Sequence, residues 1–189
     1  MMLMLSAVAM AVPDSQQVGP YAVSFDLNAN YQVQIAQPVE MGTAKAYQMG
    51  LFVDNSTYAS VGITEYAELT DSTLMVFKSM LPMSMMLQGL NVTNVEDMTV
   101  DGKESFLVTS EPMEAVAGAP STVYRAMYWL DSQACECGPV SVGKTSVVVT
   151  STYPLDVTQG LLSSLKVVQG QAATAAAPAA QGGQILPPA

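Results

Sequence analysis

The 189-residue chain is half apolar and only 12% charged, which supports one domain with a core and excludes a globally disordered chain. Sixteen Asp and Glu against six Lys and Arg give a formal net charge of −10, and because such a surface repels phosphates we predict no nucleic-acid partner. There is no histidine, which excludes Ser–His and Cys–His nucleophile systems, so we expect a protein without catalytic activity or cofactor.

The chain begins with an apolar segment, residues 1–11, whose small residues near the end fit the cleavage pattern of a signal peptide. The positive charge that normally precedes such a segment is absent, since the first basic residue is Lys45. A short buried strand or helix is therefore the alternative. Eleven apolar residues are too few to cross a bilayer, and no other segment is a transmembrane candidate. Residues 12–20, with two prolines, are predicted to be a polar linker.

Alternating apolar and polar residues predict about seven or eight strands after this linker. The predicted strand segments are 21–27, 31–35, 45–53, 59–66, a hairpin over 95–108, 121–130 and 144–151. Asp101-Gly102 joins the two arms of the hairpin and favours a tight turn of the primed type.

Helical spacing interrupts the strands twice. Residues 71–89 have apolar residues three to four positions apart and end at Gly89. Methionines crowd this segment, and we interpret them as a flexible core face, with a metal site or a promiscuous groove as the alternatives. Residues 154–168 form the second predicted helix, which begins at a proline.

The order of these elements predicts a single α+β domain over residues 21–168. Near neighbours joined by short turns favour an antiparallel sheet, and we expect both helices on one face of it. Residues 169–189 consist mostly of Ala, Gln, Gly and Pro. They cannot build a core and are predicted to be a tail or an inter-subunit segment.

Cys135-Glu136-Cys137 is the one cysteine motif of the sequence. Its spacing does not match a thioredoxin-type site, and a zinc site would need about four ligands. A strained local disulfide, a cross-link to a neighbouring subunit, two free thiols and a metal site remain as alternatives. In an oxidising exterior, an exposed cysteine loop is well placed for cross-linking.

Two tripeptides, beginning at Asn55 and Asn91, match the N-glycosylation pattern and lie on predicted turns. They agree with a location at the cell surface. Acidic residues also occur in close pairs, and we interpret these as solvated faces and not as catalytic pairs. The pairs are Glu65 and Glu68, Glu96 and Asp97, and Asp101 and Glu104.

Two predicted strands combine high β propensity with little charge and no proline. They contain Tyr21, Val23 and Phe25, and Val147, Val148 and Val149. At the edge of a sheet such strands would pair with another chain, so we predict that they are assembly strands. The expected partners are copies of the same chain.

The chain resembles two known families. The order of elements resembles the PsbP/Mog1-like α+β fold, which implies no enzyme activity. The elements that carry this resemblance are a first strand at Tyr21–Leu27, a helix at 71–89, the Asp101-Gly102 hairpin and a closing strand and helix. The chain also resembles the sheath proteins of methanogenic archaea. It shares with them a small size, an acidic and histidine-free composition, expected export, glycosylation patterns, a cysteine loop and strands with few lysines to prevent edge pairing. That resemblance implies amyloid-like self-assembly by strand pairing into a tube outside the cell.

Together these patterns predict an extracellular structural protein that self-assembles by β-strand pairing into a cell-surface sheath or envelope layer. The alternative is a monomeric exported accessory or binding module of the PsbP/Mog1 type, with a groove beside the methionine-rich helix.

Overall fold

The computed structural model describes residues 14–70, 72–114, 118–134 and 141–170. The elements in chain order are β1 (Asp14–Val18), β2 (Tyr21–Phe25), β3 (Gln32–Ile35), β4 (Val39–Met41), β5 (Ala44–Phe52), β6 (Tyr58–Tyr66), α1 (Leu74–Leu87), β7 (Leu90–Val100), β8 (Lys103–Pro112), β9 (Val123–Trp129), β10 (Gln133–Ala134), β11 (Ser141–Val142), β12 (Thr145–Ser151), α2 (Leu155–Ser164) and β13 (Lys166–Gln169). The predicted α+β class with two helices is confirmed.

Eight of the strands form one antiparallel sheet. Its order is β3-β5-β6-β12-β9-β8-β7, and β4 pairs with β5 beside β3. A second sheet has three antiparallel strands in the order β1-β2-β13. Alternating residues of the large sheet point to opposite faces, so each face needs its own cover.

The two helices lie against opposite faces of the large sheet, and not on one face as predicted. On β9, Met127 and Trp129 belong to the apolar cluster under α1. Ala126 and Tyr128 belong to the cluster that contains Leu161 of α2 and the small sheet. The order of elements does not specify which face a helix covers, because a chain leaving an antiparallel strand can return over either side.

The larger core lies between the two sheets and α2. Strand β2 contributes Tyr21, Val23 and Phe25, whose exposed fractions are 1% or less. Burying each large apolar side chain contributes about 1.5–3 kcal/mol. The alternation that suggested a strand at Tyr21 therefore reflects the face that β2 turns toward the large sheet.

Two segments of the small sheet differ from the prediction. Residues 14–18, expected in the linker, form β1 and pair with β2 from Asp14↔Phe25 to Val18↔Tyr21. Only Val18 of this strand is buried and apolar, so the sequence carries too little alternation to reveal it. The second helix ends at Ser164, and the strand β13 that follows buries Val167 against β2.

The Asp101-Gly102 turn has the predicted primed geometry, with φ of 53° at Asp101 and 71° at Gly102. The turn also joins the two sheets. Asp101 Oδ1 lies 3.2 Å from Lys166 Nζ, and the backbone N–H of Val167 donates to Asp101 Oδ2 at 3.1 Å. The carboxylate therefore anchors β13 to the tip of the hairpin.

Replacing Asp101 by alanine is expected to lower the free energy of unfolding by about 2 kcal/mol, because it removes a charge-assisted hydrogen bond and places alanine at positive φ. Asp101→Asn tolerates this backbone conformation and keeps an acceptor for Val167, so it should lose only about half as much. Urea unfolding of the two variants measures the difference. Equal losses would show that the carboxylate charge is decisive, because Asp101→Asn keeps both the turn conformation and a neutral acceptor.

Candidate functional site: two apolar patches and a groove

The strands predicted for assembly are interior strands. β2, with Tyr21, Val23 and Phe25, is hydrogen-bonded to β1 on one side and to β13 on the other. β12 contains Val147, Val148 and Val149 and lies between β6 and β9. Their backbone groups are already paired within the chain, so in this fold neither strand is available to a partner. High β propensity identified central strands, which have the same composition as aggregation-prone edges.

The cysteine motif lies outside the described residues. Asp131, which precedes the motif in the sequence, accepts hydrogen bonds at Oδ1 from the backbone N–H groups of Lys144 and Thr145, at 3.1 and 2.9 Å. Of the two glycosylation patterns, Asn55 is exposed on the turn between β5 and β6, as predicted. Asn91 is exposed on the strand β7 and not on a turn.

The acidic pairs do not form one cluster. Glu65 is partly buried and accepts hydrogen bonds from the hydroxyls of Tyr21 at 2.6 Å and Tyr47 at 3.2 Å. Burial, and then the Glu65 carboxylate, raise the pKa of both tyrosine hydroxyls. The solvated-face interpretation is therefore wrong for Glu65 and for Asp101. Glu68, Glu96, Asp97 and Glu104 are exposed, and the described residues contain no group of three or more metal-ligating side chains.

Helix α1 exposes a continuous apolar stripe, which we call the α1 patch. Its exposed fractions run from 38% at Val76 to 86% at Leu87. The α1 patch consists of Met75, Val76, Met80, Met83, Met86 and Leu87. Of the methionines in α1, Met85 alone is buried, so the prediction of a core face is wrong for the others. A helix that packs on a sheet buries only the stripe of residues that faces the sheet. Because α1 also has apolar residues on the side that faces away from the sheet, these stay exposed.

A second apolar surface, the edge patch, lies at the opposite end of the large sheet. It consists of Ile35 at the end of β3 with Val39 and Met41 on β4, which are 46%, 55% and 54% exposed. These two strands follow one another along the outer side of β5, so their own outer sides form a sheet edge. Glu40 is the one charged residue in the two strands.

The other free edge, β7, is protected against strand pairing. Its register shifts between Val92 and Asn94, and this irregularity disrupts the edge ladder. Glu96 and Asp97 on the same strand are exposed and would repel a like-charged strand. Bulges and charges of this kind keep edge strands from pairing with other chains.

A groove lies beside α1 because the helix packs mainly against β7, β8 and β9 of the large sheet. The groove has a volume of about 440 Å³. Its floor consists of Thr64, Tyr66, Arg125, Met127, Ser146 and Val148, and its wall of Ser72, Phe77, Met80, Leu81 and Ser84. A groove beside the methionine-rich helix is one of the alternatives that the sequence suggests. The sequence does not predict the residues that line it, since a groove depends on how much of the sheet the helix leaves open.

Arg125 is the cationic group of this groove. It lies on β9, half buried, and its Nε donates to Thr150 Oγ1 at 3.4 Å. Burial lowers the pKa of its guanidinium. The salt bridges between described residues are Lys78–Asp97 and Lys166–Asp101, so no described carboxylate pairs with Arg125. The sequence signal that could have located this site is a lone arginine in the aromatic segment of β9, Val123–Trp129.

Comparisons with family models, with curated proteins and with solved structures gave no match for this chain. Within the described ranges, no helix has the length and hydropathy needed to span a membrane.

Proposed function

We propose that this chain is a non-catalytic structural protein that assembles with copies of itself outside the cell. The observation that carries the proposal is the position of the α1 patch and the edge patch at opposite ends of one sheet. Exposed apolar patches are typical of surfaces that become buried against another protein. The proposal keeps the expected self-assembly and assigns it to surfaces other than β2 and β12.

Two patches at opposite ends of a subunit support an open polymer. If each patch pairs with its own counterpart on another copy, every subunit has two neighbours and the chain of subunits continues. The α1 patch would pack helix against helix, since its residues recur every three or four positions. The edge patch would add strand pairing between β3 or β4 of two copies.

The charge distribution agrees with this arrangement. The chain carries a net charge of −10, which would oppose contact between copies if the acids lay in the contact surfaces. The α1 patch contains no charged residue, and Lys78, the charged residue of α1, is paired with Asp97. The edge patch strands carry one acid, Glu40, whereas the other edge strand, β7, carries two. Cys135 and Cys137 remain candidates for cross-links between assembled copies.

Lysine substitutions separate the two patches. We expect the full chain to form filaments or sheets at high concentration, and Met75→Lys/Met83→Lys or Val39→Lys/Met41→Lys to stop at dimers. The four substitutions combined should leave a monomer, because a charge buried in either contact costs several kcal/mol. Analytical ultracentrifugation and electron microscopy measure the assembly state.

Val168→Lys is the matched control, since Val168 is an apolar residue 61% exposed on β13 and outside both patches. It should assemble like the parent chain. A parent chain that stays monomeric at millimolar concentration contradicts the proposal, and so does a four-lysine variant that assembles unchanged.

A monomeric binding module, the PsbP/Mog1-type alternative, is the second candidate function. The groove beside α1 favours it, since a concave site that combines an apolar surface with polar groups able to orient a ligand is the usual form of a small-molecule site. This candidate predicts a soluble monomer in the same ultracentrifugation experiment. The two candidates therefore differ in one measured quantity, the mass of the parent chain.

A further inference from the structure

The half-buried guanidinium of Arg125 needs a counter-charge that the described residues do not provide. Its one described hydrogen-bond partner is the neutral hydroxyl of Thr150. Taking a cation partly out of water costs free energy unless an anion or several acceptors compensate. A guanidinium also offers five N–H donors in a planar fork, which matches the two oxygens of a carboxylate.

The rest of the groove is apolar or weakly polar. Phe77, Leu81, Met127 and Val148 supply apolar surface along the groove. The polar groups of the lining, apart from Arg125, are the hydroxyls of serine, threonine and tyrosine residues. A suitable ligand therefore has one anionic end and an apolar body.

The floor strands also limit the class of ligand. β6, β12 and β9 are interior strands whose backbone groups pair with one another. A bound peptide would find no free backbone donors on this floor and would leave its own amides unpaired, which costs about 1–3 kcal/mol for each group. A hydrocarbon chain has no such groups to satisfy.

We propose that the groove between α1 and the open half of the large sheet binds a medium-chain carboxylate, with the carboxylate on Arg125 and the hydrocarbon chain between α1 and the sheet. Arg125 and Trp129 are four residues apart on β9, a span of about 13 Å. The chain would extend from Arg125 toward Tyr66 and Phe77, whose rings contact Trp129 edge-on at centroid distances of 6.0 and 5.7 Å.

Trp129 provides the readout, because it is the single tryptophan of the chain. Decanoate titrated into the full chain, below its micelle-forming concentration, should produce a saturable change in tryptophan fluorescence. Decanol, which has the same chain without the charge, should bind at least ten times more weakly. Acetate, which has the charge without the chain, should produce no saturable change.

Substitutions at Arg125 test the role of the charge. Arg125→Gln should bind decanoate at least ten times more weakly and should no longer distinguish it from decanol. Arg125→Lys keeps the positive charge and should retain a preference for decanoate. Circular dichroism establishes that each variant is folded. If Arg125→Gln does not fold, the comparison of decanoate with decanol on the parent chain and on Arg125→Lys decides.

The proposal is overturned if decanoate gives no saturable response, if decanol binds as tightly as decanoate, or if folded Arg125→Gln binds decanoate like the parent chain. Met75→Lys/Met83→Lys is the control that separates this site from self-assembly, since neither residue lines the groove. This variant should lose assembly through the α1 patch and bind decanoate with unchanged affinity.

Discussion

Above pH 10 two buried tyrosines, Tyr21 and Tyr128, are each expected to lower the free energy of unfolding by about 1.4 kcal/mol per pH unit, about 3 kcal/mol per pH unit together. Burial raises the pKa of Tyr128, and burial followed by the hydrogen bond to Glu65 raises the pKa of Tyr21, both from the ordinary value of 10.0. Their exposed fractions are 0% and 1%.

The direction of this pH dependence follows from the number of protons that each state binds. Above pH 10 the unfolded chain has lost the protons of both hydroxyls, whereas the folded chain keeps them until the higher folded pKa values are reached. The folded state then binds more protons than the unfolded state, so stability declines as the pH rises. Below pH 10 both states keep these protons, and the contribution is fully present.

Urea unfolding at pH values from 9 to 11.5 measures this slope. Tyr128→Phe removes one of the two groups and should reduce the slope by about 1.4 kcal/mol per pH unit. Tyrosinate absorbance in the folded protein should stay low over the same range for the buried hydroxyls. A free energy of unfolding that is flat with pH, or a Tyr128→Phe slope equal to that of the parent, contradicts the prediction.

Two substitutions that each remove one buried hydroxyl should have opposite effects at neutral pH. Tyr21→Phe is expected to lower the free energy of unfolding by about 1.5–3 kcal/mol, because it removes a hydrogen bond to the Glu65 carboxylate. Tyr128→Phe is expected to leave stability unchanged or to raise it by about 1 kcal/mol, because no described residue bonds this hydroxyl.

The comparison is well matched, since both changes delete one oxygen atom from a tyrosine that lies in the same core cluster. Thermal and urea unfolding of the two variants measure the difference, which should be about 1.5–4 kcal/mol. Equal losses in both variants would show that packing of the rings, and not the hydrogen bond to Glu65, determines the effect. Tyr47→Phe should lie between them, since its bond to Glu65 is longer, at 3.2 Å.

The hydrogen bond between Tyr21 and Glu65 also gives strand β2 a role different from the predicted one. The sequence presents Tyr21, Val23 and Phe25 as an uncharged strand suited to assembly. In the fold these residues face inward, and the Tyr21 hydroxyl reaches β6 of the large sheet. The same composition therefore stabilises the contact between the two sheets.

Much of the local structure follows from the sequence. Period-two alternation located β2, β5, β6, β9 and β12 to within a few residues, because a half-buried strand must alternate. Asp101-Gly102 determined its own turn, since few residue pairs accept two positive φ angles. Gly89, with φ of 77°, follows the last turn of α1 as predicted.

The position of an element in the sheet was decided only by the tertiary structure. Whether a strand such as β12 is central or at an edge depends on pairings with β6 and β9, which are distant in sequence. The same holds for α1. Its apolar residues on both sides agree with a buried helix, and its outer side stays exposed because no other described element packs over it. The sequence determined an α+β protein of low charge without histidine. The surfaces that we propose for contact follow from long-range packing, because exposure is a property of the whole fold.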